Sequence, residues 1–321
     1  MSIEKKLSII IPHYNCPQYL RTLLLSIPSL PEIQVIVVDD KSTERKEEYE
    51  RLREEFSGRN IEFYVNNEVK SAGTCRNIGL RHAGGEWLLF ADADDYFMEG
   101  FYDAVSRYFD SEYDIVFFPP TSIVMGIKEP SDRHIETAKK VYDYCKNPDW
   151  KNTLALRYQY HSPWSKLIRR RMVEENDIRF DEIRAANDVM FSMKCGYAAD
   201  KIAADIQVIY CVTMNKGSLT NQISEEVFDA RMKAFLSRFI FLKERLSKEE
   251  MKCLAINGRV RVFQAMQNGY GIKKVFRILK EYRKYGIRFW DWDLIPKTFH
   301  YIRVVFEQMQ IRKRDRKFLV K

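Results

Sequence analysis

The chain has 321 residues, of which 45% are hydrophobic and 31% charged, and its formal net charge is +8. This length allows one large domain with an appendage, or two modest domains. No stretch approaches the roughly 18 uncharged apolar residues of a membrane-spanning helix, and no low-complexity tract occurs, so integral membrane and disordered classes are excluded.

Strands and helices alternate through the first 120 residues. Short apolar runs predict buried strands at 7–11, 33–38, 61–65, 87–91 and 114–118. Helical apolar spacing predicts helices at 17–29, 43–56, 72–83 and 99–109. This alternation predicts an α/β fold with a mostly parallel central sheet flanked by helices. Such sheets bind ligands at the carboxyl ends of their strands.

The pattern changes beyond residue 120. A helix is predicted at 187–199, and the alternating stretch 201–212 is expected to rejoin the sheet as one strand. Helical patterns then follow at 227–246, 249–266, 272–285 and 296–309. We therefore predict a domain at 1–222 and a C-terminal helical region at 223–321, with the boundary near 217–224.

The charge is divided unevenly between these two regions. Residues 223–321 contain 24 Lys and Arg against 11 Asp and Glu, a net charge of +13. Residues 1–222 contain 29 against 34, a net charge of −5. An acidic body with a basic end indicates that the end has a partner of its own.

The cysteines and the N-terminus indicate a cytoplasmic protein. Six cysteines are scattered without a Cys-x-x-Cys pair, which fits a reducing cytosol. The five histidines have no metal-ligand spacing and are expected in loops or on the surface. The first apolar run ends at Pro12 and is too short for a signal peptide. We expect a chain that is soluble, or peripheral on the inner face of the cell membrane.

Polar residues follow three of the predicted strands. These groups are His13-Tyr14-Asn15, Asp39-Asp40 and Asp92-Ala93-Asp94-Asp95. If the chain stays extended after the fourth strand, Asp92 and Asp94 point the same way and Asp95 turns aside. Two carboxylates held that close favour a divalent cation between them. The alternative is an acidic turn in which aspartate was selected for turn hydrogen bonds.

Several short motifs occur in the order typical of one enzyme family. They are Ser8–Asn15, Val37–Ser42, Gly73–Gly79, Ala91–Asp95, Trp164–Arg170 with Ile178–Phe180, and Asn187–Phe191. In these motifs the chain resembles the nucleotide-sugar glycosyltransferases of family 2 over most of residues 5–222. The resemblance implies a GT-A fold with a Rossmann-like nucleotide half. It also implies inverting transfer of a sugar, with a UDP-sugar as the expected donor, in capsule, lipopolysaccharide or exopolysaccharide synthesis.

The resemblance assigns the donor and metal residues. Asp94 would be the main ligand of Mn²⁺ or Mg²⁺, and Asp92 would share the ion or contact the ribose. Asp95 would support either role. The ion would stabilise the charge that develops on the leaving diphosphate.

Further residues would bind the nucleotide. Asp39 would accept a hydrogen bond from the uracil ring N–H, with Asp40 beside it, although Asp40 equally suits a cap of the next helix. Pro12 and Tyr14 would enclose the base, Tyr14 by stacking, with core packing as the alternative for the aromatic ring. Arg76 would approach the diphosphate or form an ion pair with a nearby carboxylate.

The resemblance places the general base at Asp188. It would take the proton of the acceptor hydroxyl during a single displacement with inversion; the alternative is a helix N-cap. The motif has Asn187 where the family commonly has Glu, so Asp188 would act without a second carboxylate. Trp164 and Lys166 would lie in the acceptor site, and Trp164 equally suits the core.

The basic C-terminal region indicates a possible anionic membrane surface as partner. Basic residues between 273 and 288 are followed by Phe289-Trp290-Asp291-Trp292, and a second basic cluster lies at 311–317. Cations and tryptophan favour the headgroup zone, although a solvated helical bundle with a disordered basic end is the alternative.

Two other functional classes compete with the transferase. A sugar nucleotidyltransferase usually has a glycine-rich triphosphate loop, and residues 11–16 contain no glycine. A non-catalytic protein that binds nucleotides, a membrane or a nucleic acid would use the basic tail, but the acidic residues at the sheet edge disfavour nucleic acid there.

Overall fold

The computed structural model describes residues 4–127, 129–214 and 224–289. They belong to two compact units, one within Met1–Gln222 and one within Ile223–Lys321. Each unit has its own hydrophobic core. The helix predicted at 296–309 and the clusters at 290–292 and 311–317 lie outside the described residues.

Ten strands are described in the first unit. In chain order they are β1 Leu7–His13, β2 Ile33–Asp39, β3 Ile61–Val65, β4 Trp87–Phe90, β5 Tyr96–Phe97, β6 Ile115–Phe117, β7 Pro120–Val124, β8 Lys166–Arg169, β9 Ile202–Ala204 and β10 Tyr210–Met214. Seven form one sheet in the order β3-β2-β1-β4-β8-β6-β9, and three form a smaller sheet in the order β5-β10-β7. The large sheet is parallel except for β8, which pairs antiparallel with β4 and β6.

Eight helices are described in the same unit. They are α1 Pro17–Leu25, α2 Lys46–Glu55, α3 Ala72–His82, α4 Phe101–Ser106, α5 Ile135–Lys146, α6 Trp150–Gln159, α7 Arg170–Glu175 and α8 Val189–Ala198. Gly79 of α3 lies directly against β1, since a Cβ there would be 2.4 Å from Cγ2 of Ile10. This close approach fixes α3, which carries several candidate residues, against the sheet.

The mostly parallel α/β architecture with flanking helices is confirmed. One detail is wrong: the stretch 201–212 is not one strand. Residues 202–204 form β9 at the edge of the large sheet, beside β6. Residues 210–214 form β10, which pairs with β7 and β5 in the small sheet. The five residues between the strands allow the chain to leave one sheet for the other.

The second unit is helical in its described part. Its helices are α9 Glu225–Arg245, α10 Lys248–Leu254, α11 Arg259–Gln267 and α12 Ile272–Tyr285. The single helix predicted at 249–266 is therefore wrong. Ala255 adopts the left-handed conformation at φ 48°, and a Cβ at Gly258 would be 2.1 Å from the Tyr282 ring. Tyr282 also donates to the Gly258 carbonyl oxygen at 2.9 Å. No helix of the described residues is long and apolar enough to cross a membrane.

Candidate active site

Three of the polar groups lie along one edge of the large sheet. β2, β1 and β4 are neighbours, and His13 at the end of β1 is in register with Asp39 at the end of β2. The turn after β4 follows on the other side of β1, where the Ala91 amide donates to the Ile10 carbonyl. Because all three strands run parallel, their carboxyl ends meet at this edge.

Asp39 is held by its neighbours. Its Oδ1 lies 2.8 Å from Nδ1 of His13 and accepts from the Ser42 hydroxyl, while its Oδ2 accepts from the Ser42 amide at 2.9 Å. Burial raises the pKa of this carboxyl, but the hydrogen bonds from His13 and Ser42 outweigh it and lower the pKa below its usual value. Asp39 is therefore held ionised, which strengthens it as an acceptor for a ring N–H.

His13 is buried, contrary to the expectation of a loop or surface histidine. Its exposure is 1%, and its ring stacks on Tyr49 with a centroid distance of 4.7 Å. The Cys16 amide donates to Nε2 at 3.2 Å, so the proton of the neutral ring is on Nδ1 and points at Asp39. His13 thus orients Asp39, a role that no spacing in the sequence indicated.

Asp40 does not cap the next helix. That helix begins at Lys46, and its N-cap residue is Arg45. Asp40 is buried and accepts a hydrogen bond from Nδ2 of Asn66 at 2.7 Å. Oδ1 of Asn66 accepts from the Glu68 amide at 2.8 Å, so this pair fixes the loop after β3.

Tyr14 projects from the same edge. The residue is 45% exposed, and the Lys70 ammonium lies 3.7 Å from the ring centroid. Pro12, two residues earlier in the chain, is half-buried. An exposed aromatic ring that carries a cation on one face is suited to stacking on a base.

The acidic residues after β4 form a turn and are not extended. The Asp95 amide donates to the Asp92 carbonyl at 3.0 Å, which closes the turn. The Asp95 side chain points away from solvent. Its carboxylate accepts hydrogen bonds from the Tyr210 hydroxyl at 2.8 Å and from the Thr213 amide at 2.7 Å. The Tyr210 hydroxyl also accepts from the Asp92 amide at 2.8 Å. Strand β10 therefore anchors the turn, an arrangement that the sequence did not indicate.

Asp92 and Asp94 remain at the site. Burial and the charge of Asp92 raise the pKa of Asp94 to about 6. The described residues contain no group of three or more His, Cys, Asp or Glu side chains arranged around a common point. A divalent ion that takes one or two carboxylates and completes its shell with substrate phosphates and water suits this donor set.

Arg76 connects the two sides of the site. From α3, its Nη2 donates to Oδ1 of Asp92 at 2.5 Å and its Nη1 donates to Oδ1 of Asn187 at 2.9 Å. The ion pair with a nearby carboxylate, one of its two predicted roles, is thus present in the structure. Asn187 offers Arg76 an acceptor oxygen without the charge of the usual Glu.

Asp188 is at the N-cap position of α8 but does not act as a cap. Its side chain makes no capping hydrogen bond, and its own backbone N–H acts as a hydrogen-bond donor to the carboxylate. Burial raises the pKa of Asp188, and the Arg76 guanidinium acts in the opposite direction. A half-buried carboxylate with a raised pKa is suited to accept a proton.

The loop before Asp188 is fastened to α3. Nδ2 of Asn77 donates to the Phe180 carbonyl at 3.0 Å, and the Phe180 amide donates to Oδ1 of Asn77 at 2.9 Å. A Cβ at Gly73 would lie 2.2 Å from the Asp181 carbonyl oxygen. Gly73 and the side-chain amide of Asn77, both in α3, therefore set the position of the Asp188 segment relative to Arg76.

Trp164 and Lys166 lie in the core. Trp164 is 7% exposed and stacks on Tyr210 with a centroid distance of 5.7 Å. Lys166 is 3% exposed and donates to the Tyr160 carbonyl at 2.5 Å and to the Ser192 hydroxyl at 3.3 Å. These contacts correspond to the core alternative for Trp164, and they do not support contact of Lys166 with an acceptor.

The buried amine of Lys166 predicts a pH effect on stability. Burial lowers the pKa of Lys166 to about 7 from the ordinary lysine value of 10.5. Between these values the unfolded chain binds a proton that the folded chain does not, so this group makes stability rise with pH by up to about 1.4 kcal/mol per unit. We expect the free energy of unfolding of Lys166→Met to rise less between pH 7 and pH 9 than that of the parent chain. Chemical denaturation at several pH values measures this. Lys139→Met, whose parent side chain is 63% exposed, is the control and should keep the parental slope.

Comparison with known families bears on these residues. The model of glycosyl transferase family 2 matches residues 8–176, more than half of the chain. The chain belongs to glycosyl transferase family 2. The matched range includes β1 to β4 and Arg76, and it ends before Asn187 and Asp188.

The chain also resembles individual family members. It is 29% identical over 219 residues to the poly(ribitol-phosphate) beta-N-acetylglucosaminyltransferase TarS of Staphylococcus aureus, covering 66% of this chain and 36% of TarS. It is 24% identical over 254 residues to the putative glycosyltransferase EpsH of Bacillus subtilis, covering 76% of this chain and 71% of EpsH. The chain thus spans about a third of the length of TarS.

Solved structures show the same fold. Residues 1–349 of S. aureus TarS in complex with UDP-GlcNAc align with a TM-score of 0.63 at 21% identity, covering 87% of this chain and 80% of that one. The mannosyltransferase PcManGT from Pyrobaculum calidifontis, in complex with GDP-Man and Mn²⁺, aligns with a TM-score of 0.58 at 16% identity, covering 88% and 76%. These neighbours confirm the GT-A fold.

Proposed function

We propose that the chain is a metal-dependent, inverting glycosyltransferase that moves a sugar from a UDP-sugar to a hydroxyl group of a cell-surface polysaccharide. The observation that carries the proposal is the link through Arg76 between the acidic turn at Asp92 and the segment of Asp188. One side offers ligands for a diphosphate-bound ion, and the other offers a carboxylate that accepts a proton. Family membership and the poly(ribitol-phosphate) transferase TarS among the relatives support this class of reaction.

The reaction needs a nucleotide held in one orientation. Asp39 would accept the ring N–H of uracil, and Tyr14 would stack on the ring with Pro12 beside it. Asp92 and Asp94 would hold Mn²⁺ or Mg²⁺, which when bound neutralises charge on the diphosphate. Arg76 holds Asp92 in place, and its charge would also favour the leaving diphosphate.

Asp188 would provide the proton acceptor. As the acceptor oxygen bonds to the anomeric carbon, its proton passes to Asp188 and the bond from that carbon to the diphosphate oxygen breaks. Attack from the side opposite to the leaving group inverts the anomeric configuration. Burial favours this role because it raises the pKa of the carboxyl towards the working pH.

A donor screen tests the proposal. UDP- and GDP-sugars with Mn²⁺, with Mg²⁺ or with EDTA are incubated with the chain, and release of nucleoside diphosphate is measured. We expect turnover with a UDP-sugar and a divalent ion. No nucleotide release from any donor, together with no UDP binding by calorimetry, would refute the proposal.

His13 gives a second test of the nucleotide site. Because its Nδ1–H orients Asp39, we expect His13→Leu to weaken UDP binding about tenfold, which corresponds to about 1.4 kcal/mol. His13→Asn keeps an N–H near Asp39 and should recover most of the affinity. In His13→Leu the pKa of Asp39 should rise, so binding should be lost at a higher pH as the solution is acidified. Calorimetry across pH 4–7 measures both effects, and equal affinities of the Leu and Asn variants would contradict the role of the hydrogen bond.

A further inference from the structure

Helix α12 of the second unit exposes two large apolar side chains. Ile272 and Phe276 are one turn apart and are 71% and 65% exposed. The opposite side of the helix is buried through Lys274, Ile278 and Tyr282. The exposed apolar pair therefore does not contribute to the core of this unit.

The same exposed side is strongly basic. At 3.6 residues per turn, the exposed residues of α12 fall on one side of the helix. They are Ile272, Lys273, Phe276, Arg277, Lys280, Arg283 and Lys284. Among the described residues, Lys274 is the only α12 cation in an ion pair, with Glu225 at 2.9 Å and Asp229 at 2.5 Å. Lys284 also interacts with the Tyr285 side chain and with Glu281, the only acidic residue of the helix, and both raise its pKa.

We propose that the exposed side of α12 docks on an anionic lipid membrane. Its cations complement anionic headgroups, while Ile272 and Phe276 would enter the boundary between headgroups and acyl chains. This side of α12 is named the docking face. The docking face belongs to the second unit, and the proposed donor residues belong to the first.

Charge and apolar character together select this partner. A nucleic acid or a phosphate polymer would engage the cations but would gain little from an exposed Phe and Ile. A second copy of the chain would place five more cations against these five. Residues 290–321 contain eight basic and four acidic residues. Their net charge of +4 also disfavours them as a segment that covers the basic docking face.

Vesicle flotation of the full chain tests the docking face. Vesicles of phosphatidylcholine alone are compared with vesicles that contain equal parts of phosphatidylglycerol and phosphatidylcholine. The charge variant is Lys273→Gln/Arg277→Gln/Lys280→Gln, and the apolar variant is Ile272→Ser/Phe276→Ser. The control, Lys46→Gln/Arg51→Gln/Lys151→Gln, removes three exposed cations of the first unit. Thermal unfolding confirms that each variant is folded.

The expected result is binding to the anionic vesicles only. The charge variant should bind about 100-fold more weakly, because each surface cation contributes about fivefold. The apolar variant should lose at least tenfold in affinity for the anionic vesicles. The control should bind these vesicles almost as tightly as the parent chain, with only a small loss of general electrostatic attraction.

The proposal is overturned if the parent chain does not bind, or if the control loses as much affinity as the charge variant. It is also overturned if the apolar variant keeps full affinity, which would indicate a polyanion such as inorganic polyphosphate. UDP binding should be the same in all variants, so failure of the donor site would be seen separately.

Discussion

Asp188→Asn is expected to lower kcat for sugar transfer about 100- to 10,000-fold, the range typical of a positioned general base. Asparagine has nearly the same shape but does not accept the proton of the acceptor hydroxyl. Since the Asp188 side chain makes no capping hydrogen bond, the substitution should leave the start of α8 intact. Steady-state rates with an acceptor give kcat, which should fall. Calorimetry gives the Kd for UDP, which should change less than about threefold.

The control for this prediction is Asp177→Asn. Asp177 lies in the same segment, its side chain is 87% exposed, and asparagine tolerates its positive φ of 45°. This variant should transfer sugar at the parental rate. Parental kcat in Asp188→Asn would show that another group takes the proton, and an equal loss in Asp177→Asn would assign the effect to the fold of the segment.

Asp94→Ala is expected to remove the part of UDP binding that depends on the metal. With Mn²⁺ present the Kd for UDP should rise at least about 100-fold, whereas in EDTA the variant and the parent chain should bind UDP equally weakly. The reason is that one of the two carboxylates that would hold the ion is lost, and a neutral side chain does not replace it. Calorimetric titration of UDP in the two buffers measures the difference.

Asp110→Ala is the matched control, because Asp110 is an exposed aspartate of the same unit. Asp110→Ala should bind UDP more tightly with Mn²⁺ than in EDTA, by the same factor as the parent chain. If Asp94→Ala also retains that effect, Asp94 is not a ligand. If the parent chain binds UDP equally well with Mn²⁺ and with EDTA, no ion takes part in binding.

The sequence predicted the nucleotide half of the fold well because its signals are local. The first four strands are short apolar runs that end in polar residues, and their parallel order follows from the helices between them. For this reason the sequence alone predicts that Asp39 and Asp92 lie at one edge of the sheet. The motif containing Asp188 was placed by family resemblance, since nothing local distinguishes that aspartate from a helix cap.

The features that sequence reasoning missed depend on contacts between distant residues. The Tyr210 hydroxyl reaches Asp95 across 115 positions, and periodicity within either segment gives no information about this hydrogen bond. His13 has no metal-ligand spacing and is expected in a loop or on the surface, yet Tyr49 and Asp39 enclose it. The break between α10 and α11 depends on the Tyr282 ring, which comes more than twenty residues later in the chain.

The hydrogen bonds from Tyr210 and Thr213 to Asp95 have a consequence during synthesis of the chain. The ribosome completes β1 to β4 more than a hundred residues before it reaches β10. A nascent chain that ends near residue 200 therefore has the strands that position Asp39, but it lacks the groups that fasten the acidic turn. The proposed donor site is completed only when residues 210–214 have left the exit tunnel.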